Sequence, residues 1–249
     1  MREAWHTGNR HVGREVFVLG QADSTNALAL ADGRPGVAYL AGEQSSGRGT
    51  HGRAWHAPPW SSVLLTVVAP EWACRPPVLT AWAAVSVCRT VQEVASLRPR
   101  IKWPNDVLLH GKKLAGILIE RSGAGPYVAG IGLNVRQREA DFLAAGLPAA
   151  TSLAAQGYMA EVEAVARALL AQLDAEMGRI ADQGEQPLEA EWGLWLGLTG
   201  EVVRAECAGG TFTEGRVTRI GFNGVALETE SGLVTLAPEG ILHLDGRGW

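Results

Sequence analysis

Cysteine is scarce in this 249-residue chain: Cys74, Cys88 and Cys207 are three, odd in number and far apart. No Cys-x-x-Cys pair or Cys/His cluster accompanies them, which excludes a disulfide framework and a zinc site and reads as reduced thiols in a cytoplasmic protein. No apolar run approaches the ~20 residues of a membrane helix. The opening stretch MREAWHTGNRHVGREVFVLG carries charges and glycines where a secretory signal needs an apolar core. Positive charge is not in excess either, since 22 Lys and Arg against 26 Asp and Glu leave a formal charge of -4. That gives no footprint for DNA, RNA or an anionic membrane, although a local basic loop can still hold a phosphate.

What is present is an ordinary globular composition, 47% hydrophobic and 19% charged, enough for one sizeable core with a small appendage. Glu15 to Leu19 reads as a strand. Asp23-Ser24-Thr25-Asn26 then suits a helix N-cap before the helical ALALAD. Val37 to Ala41 and Ser62 to Ala69 read as strands, and Pro76 to Leu97 as a buried helix with its prolines at the tolerated start. Three more strands are expected at Arg100 to Trp103, Leu114 to Glu120 and Tyr127 to Val135. Helices at Met159 to Ala181 and near Leu188 to Trp195 follow. After Gly197 the chain changes to short β-type runs separated by Gly and Asn-Gly turns, the texture of a small barrel. The expected fold class is therefore α+β, with a domain over residues 1–196 and a small SH3-like β-barrel over 197–249.

Between Gln44 and Trp60 the chain is rich in Gly, Pro, Ser and Arg without hydrophobic period, the mark of a long functional loop. Gly47, Gly49 and Gly52 match the G-x-G-x-x-G spacing of a dinucleotide site. Yet the motif must open a helix, and Pro58, Pro59 and a return to strand follow instead. The glycines are better read as bare backbone that approaches an anionic ligand, with Arg48 and Arg53 as guanidinium forks and Trp55 as a flat face for a base. Taken alone, such a loop is more often a solvated surface segment.

Lys102-Trp103-Pro104-Asn105-Asp106 ends a short strand. A lysine there can neutralise a phosphoryl or acyl oxygen, and the aspartate can hold magnesium or orient an amine. The bland alternative is a surface ion pair. Gly116, Gly130 and Gly132 interrupt apolar strands, which marks close approach either of a ligand or of a bulky neighbour.

In this order, DSTN, EQSSGRGTHGRAW, KWPNDV, KLAGILIE and GIGLNV, followed by a terminal barrel, the motifs resemble the biotin protein ligase family. The resemblance covers nearly the whole chain and implies a mixed sheet flanked by helices with a C-terminal SH3-like barrel. It implies biotin and ATP as substrates, Mg2+ as cofactor, a biotinyl-adenylate intermediate and a biotin carboxyl carrier protein as acceptor. By motif, Ser24, Thr25, Asn26 and Gln44 become biotin contacts, and Arg48, Gly49 and Thr50 part of the loop over biotin and phosphate. Trp55 becomes the adenine-stacking residue and Asn134 the reader of the adenine edge. Lys102 becomes the essential lysine between the biotin carboxylate and the α-phosphate, with Asn105 and Asp106 beside it and Lys113, Gly116 and Gly132 lining the pocket. Lys102, Arg48 and Asp106 are thus the expected catalytic set, Arg53 a further ATP contact, and Asp106 the expected metal ligand. Glu120 reads as a strand cap outside the site.

Two departures from the family's pattern matter. Only 22 residues precede DSTN, too few for the DNA-binding domain of bifunctional members, so no DNA partner is expected. Thr50 stands where arginine is commonest, which removes a cation near the adenylate and leaves His51 as the neighbouring basic residue. Lipoate or octanoate ligases and transferases share the architecture, but the Arg-Arg and Gly-Gly-Gly segment typical of such transferases is replaced here by GRGTHGR. A non-catalytic biotin-binding regulator is the other alternative. No membrane partner is expected, and an exposed strand edge can support a homodimer.

Overall fold

The computed structural model describes residues 2–73 and 75–246, so Cys74 lies outside the described residues. Eight strands, β1 (Arg2–His6), β2 (Glu15–Leu19), β3 (Val37–Ala41), β4 (Ser62–Val68), β5 (Arg100–Lys102), β6 (Asp106–Leu109), β7 (Lys112–Arg121) and β8 (Tyr127–Asn134), form one sheet in the order β1-β2-β3-β4-β8-β7-β6-β5. The β2–β3 pair is parallel and its other neighbouring pairs are antiparallel. The helices are α1 (Thr25–Asp32), α2 (Pro76–Ala95), α3 (Glu139–Ala144), α4 (Val162–Gln183) and α5 (Gln186–Leu196).

The central strand β4, SVLLTVV, is buried along its whole length because helices cover both of its faces. Val63, Leu65 and Val67 enter the main core with α2 and α4. On the opposite face Val68 packs with Ala29 of α1, and Thr66 hydrogen-bonds the first turn of that helix. Helix α1 starts where the sequence places it: Ser24 has extended backbone and its hydroxyl accepts from the Ala27 amide. Trp82 of α2 is fully buried, and its indole Nε1 donates to the Leu173 carbonyl of α4 at 2.9 Å. Glu176 of α4 is buried between Arg89 (3.0 Å) and Arg179 (2.6 Å), both of which also reach Glu191 of α5. Cys88 lies within this core, and burial pushes its thiol up. Cys88 and Cys207 are both free.

The remaining strands, β9 (Val202–Cys207), β10 (Thr211–Gly221), β11 (Gly224–Thr229), β12 (Gly232–Leu236) and β13 (Ile241–Gly246), make a five-stranded antiparallel sheet in the order β12-β11-β10-β9-β13, compatible with an SH3-like barrel. Its apolar side chains continue the main core. Trp192 of α5 sits between Trp103 and Phe222, with ring centroids 5.4 Å from each. Trp103 also donates its indole N–H to the Ile241 carbonyl of β13 at 3.0 Å. The turn after β5, α5 and the second sheet are therefore packed as one seam.

Four elements differ from the reading by periodicity. The segment after Asn105 is not only a turn: Lys102 and Asp106 pair across a tight β5–β6 hairpin. The run Asp-Val-Leu-Leu shows no strict apolar–polar alternation, so the period of 2 is hidden. The charged REAWH forms β1, and α3 was not anticipated. The long helix begins at Val162 rather than Met159, because Glu161 has extended backbone. Among the described residues no helix is long and apolar enough to cross a membrane.

Candidate functional site

Gly116 of β7 and Gly132 of β8 lie directly opposite each other, and Gly130 is two residues along on the same face. Three missing side chains in adjacent strands open a trough on the α1 side of the sheet. The space is needed. A Cβ on Gly130 would stand 2.2 Å from Asn26 Oδ1, and one on Gly132 would stand 2.5 Å from the Trp55 ring. Both glycines admit bulky neighbours, and both belong to the lining of one pocket.

At one end of this pocket are neutral hydrogen-bonding groups from the start of α1. Gln44 Oε1 accepts from the Thr25 amide (2.7 Å) and hydroxyl (3.0 Å), which leaves the Gln44 NH2 as its free donor. The Thr66 hydroxyl donates to Asn26 Oδ1 at 2.6 Å and lies 2.8 Å from Thr25 Oγ1. Asn26 Nδ2 in turn donates to Glu120 Oε2 at 2.7 Å.

The glycine-rich segment closes the other side as a small hydrogen-bonded hairpin. The Gly49 amide donates to Arg53 (2.7 Å) and the Trp55 amide to Gly47 (2.9 Å), around a 3-10 turn at Thr50–Gly52. A Cβ on Gly47 would meet the Trp55 carbonyl at 2.4 Å, so this position needs glycine for close approach rather than for turning. The next regular element is β4, as the failed dinucleotide motif requires. Arg48 Nη2 lies 3.4 Å from Glu120 Oε2, and Lys113 Nζ lies 2.7 Å from Asp106 Oδ1. Each pocket cation thus has a carboxylate partner outside the lining. The Trp55 indole lies against Gly116 and Gly132, with Lys113 Nζ 5.8 Å from its ring centroid and its own Nε1 buried without a partner among the described residues. About 50 Å3 of free space remains.

Ser24, Thr25, Asn26, Gln44, Arg48, Gly49, Thr50, Trp55, Asn105, Lys113, Gly116 and Gly132 all line this pocket, as the motifs suggest. Four expected residues do not. Lys102 points toward the second sheet, with Nζ 3.6 Å from Asp245 Oδ1. Asp106 is held by Lys113, and Arg53 is exposed beyond the lining. Asn134 is buried, with Nδ2 donating to the Thr151 carbonyl (2.9 Å) and Oδ1 accepting from Ser62 and Gln137. Its carboxamide is turned into the fold rather than toward a base. The side chain of His51 lies outside the described residues. The residues assigned by motif leave out Leu64, Leu65, Ile117, Leu118, Gly130 and Ile131 in the lining and Thr66 beneath it; the apolar strands that carry Gly116, Gly130 and Gly132 and the adjoining run of β4 were the available signal. Among the described residues no group of three His, Cys, Asp or Glu is placed to hold a metal. One carboxylate already paired with a lysine does not make a resident magnesium site.

The Biotin/lipoate A/B protein ligase family matches residues 21–135, the segment that carries every motif of this pocket. The biotin--[acetyl-CoA-carboxylase] ligase of Mycobacterium tuberculosis is 34% identical over 250 residues, covering 93% of this chain and 90% of that protein. The bifunctional ligase/repressor BirA of Bacillus subtilis is 33% identical over 227 residues, covering 87% of this chain and 69% of the relative. In fold, the chain is similar to the biotin protein ligase from Aquifex aeolicus in complex with biotin and ATP, with a TM-score of 0.81 at 23% identity over 93% of this chain and 98% of that one. With the motifs, the pocket and a relative 34% identical over 90% of its own length in agreement, the chain belongs to the biotin protein ligase family.

Proposed function

We propose that this ligase couples biotin and ATP to biotinyl-5'-AMP and pyrophosphate, then transfers the biotinyl group to a lysine of a biotin carboxyl carrier protein in the cytoplasm. The observation that carries the reading is the polarity of the pocket. Neutral donors and acceptors from Thr25, Asn26 and Gln44 face the Gly130 end, a side-chain-free floor runs from there to Gly116 and Gly132, and Lys113 stands at that far end, with Arg48 at the rim beside Glu120. A neutral ureido head with an apolar ring and an anionic tail has that same order of groups.

In the first step a biotin carboxylate oxygen attacks the α-phosphorus of ATP, forming the acyl-phosphate bond as the bond to pyrophosphate breaks. The carboxylate needs no general base, because a group of pKa near ~4.3 is already ionised at neutral pH. Catalysis is then mainly charge neutralisation, the work of Arg48, Lys113 and Lys102. Each must change partner first. Arg48 leaves Glu120, Lys113 leaves Asp106, and Lys102 turns from Asp245. Magnesium is taken to enter chelated by the phosphates, and no step is assigned to a protein-held ion.

The adenylate is larger than the free space left beside Trp55, since such ligands occupy pockets of roughly 300 Å3 or more. Trp55 and its hairpin therefore move aside on binding and close again over the ligand, with the indole stacked on adenine and the mixed anhydride kept from water. In the second step the carrier's lysine amine attacks the acyl carbon and AMP leaves. Asp106, freed from Lys113, orients that amine or takes its proton.

The deciding experiment mixes the protein with ATP, Mg2+ and an apo carrier domain, and supplies either biotin or lipoate. Covalent label on the carrier with biotin alone is expected. Label with lipoate alone, or tight biotin binding without transfer, overturns the reading.

A further inference from the structure

The side chain of Glu120 has no place in the pocket lining, yet it joins two things the reaction needs. A chain of polar contacts starts in the buried centre of the sheet at Thr66, passes to Asn26 Oδ1 (2.6 Å), and from Asn26 Nδ2 to Glu120 Oε2 (2.7 Å). The same Glu120 oxygen lies 3.4 Å from Arg48 Nη2 on the glycine-rich hairpin. Asn26 can occupy its position only because Gly130 has no side chain. Glu120 is thereby fixed from below by a buried hydrogen-bond relay, and above it meets Arg48, a hairpin cation that lines the pocket. A strand cap would require neither contact.

We infer that Glu120 is a positioning residue for the ligation reaction: its carboxylate latches the Arg48 guanidinium at the pocket rim in the ligand-free enzyme. The latch keeps the hairpin folded before substrate arrives, so it moves aside and closes again as a formed unit and less ordering remains to be done on closure. Half of the Arg48 side chain is open to solvent, so the attraction is weak and screened, and the α-phosphate of ATP outcompetes it. A carboxylate that held Arg48 deep in the protein would instead block the reaction. The consequence for catalysis rests on the proposed function; the latch itself does not.

The test therefore begins with ligand-free protein and trypsin, scoring only cleavage after Arg53. Glu120→Gln keeps an oxygen for Asn26 Nδ2 and removes the charge that attracts Arg48. Cleavage is expected to quicken at least threefold at low ionic strength, with the difference from wild type disappearing in 0.5 M salt, on the order expected when a ~3 Å Debye length is approached. In an Arg48→Gln background, Glu120→Gln is expected to add nothing. If Glu120→Gln does not fold, Arg48→Lys against Arg48→Gln carries the comparison: lysine restores slow cleavage and glutamine does not. Equal cleavage of wild type and Glu120→Gln, or an undiminished effect in the Arg48→Gln background, overturns the latch. So does equal cleavage of the two Arg48 variants. In biotin-dependent pyrophosphate exchange, Glu120→Gln is expected to raise KM for ATP several-fold with kcat within twofold. If wild type shows no exchange at all, the proposed function fails while the proteolysis result still decides the latch.

Discussion

Lys102 Nζ lies 3.6 Å from Asp245 Oδ1, which links the end of β5 to the last strand of the second sheet. Both side chains are substantially exposed, so the pair contributes about 0–1 kcal/mol to stability. Its value is in direction: it turns the lysine along the seam instead of into the pocket. Lys102→Ala is expected to lower biotin-dependent pyrophosphate exchange on the order of 10²-fold or more while leaving the unfolding midpoint nearly unchanged. Asp245→Asn, which frees the lysine, is expected to leave exchange within about threefold. Undiminished exchange by Lys102→Ala would remove it from the mechanism.

The seam should be far less tolerant than the pair that crosses it. Trp192 is buried between Trp103 and Phe222, and truncation to alanine removes contacts on both sides at once. Denaturant unfolding of Trp192→Ala is expected to show a loss of about 3–5 kcal/mol, the usual range for a buried aromatic. A loss below about 1 kcal/mol would mean that α5 and the second sheet are not packed as one unit.

Gly130 separates packing from binding. A methyl group there meets Asn26 Oδ1 at 2.2 Å, inside a relay that also engages Thr66 and Glu120. Asn26 has to move, so Gly130→Ala is expected to cost about 1–3 kcal/mol and to abolish biotin binding measured by calorimetry. Gly20→Ala, where a Cβ meets nothing within 4 Å, is the matched control and should do neither. Wild-type biotin affinity in Gly130→Ala would show that the trough does not receive the ligand.

Much of this site was legible because its parts are local. Ser24 caps a helix at its own start, and β4 shows a run of apolar residues because two layers bury it. The glycine hairpin was recognisable by what fails to follow it. What sequence left dark depends on contacts between distant positions. Glu120 reads as a strand cap until it is seen to meet Arg48, 72 positions earlier, and Asn26, 94 positions earlier. Asn134 keeps its motif, yet the Thr151 carbonyl takes its amide, and nothing in GIGLNV announces that acceptor. Strand β6 escaped for a simpler reason: it opens on an aspartate directly after a Pro-Asn turn, and Val-Leu-Leu shows no apolar–polar alternation.

Acid should weaken the fold through carboxylates that arginines hold ionised. The Arg34 guanidinium hydrogen-bonds Asp32 and, against a smaller opposing effect of burial, brings its carboxyl down from 3.8 to about 2. For Glu191, burial acts to raise the pKa, but hydrogen bonds from Arg89 and Arg179 outweigh it and the net direction is down. A carboxyl whose pKa is lower folded than unfolded adds stability that is complete above the unfolded value and disappears as pH falls through the folded one. The Asp32 contribution is therefore intact at pH 6 and is lost between 3.8 and about 2. Arg34→Ala should lower the thermal midpoint relative to wild type at pH 6, and the gap should shrink steadily toward zero near pH 2. A gap that stays constant across that window would show that Arg34 acts through its packing on Phe17 rather than through the charge of Asp32.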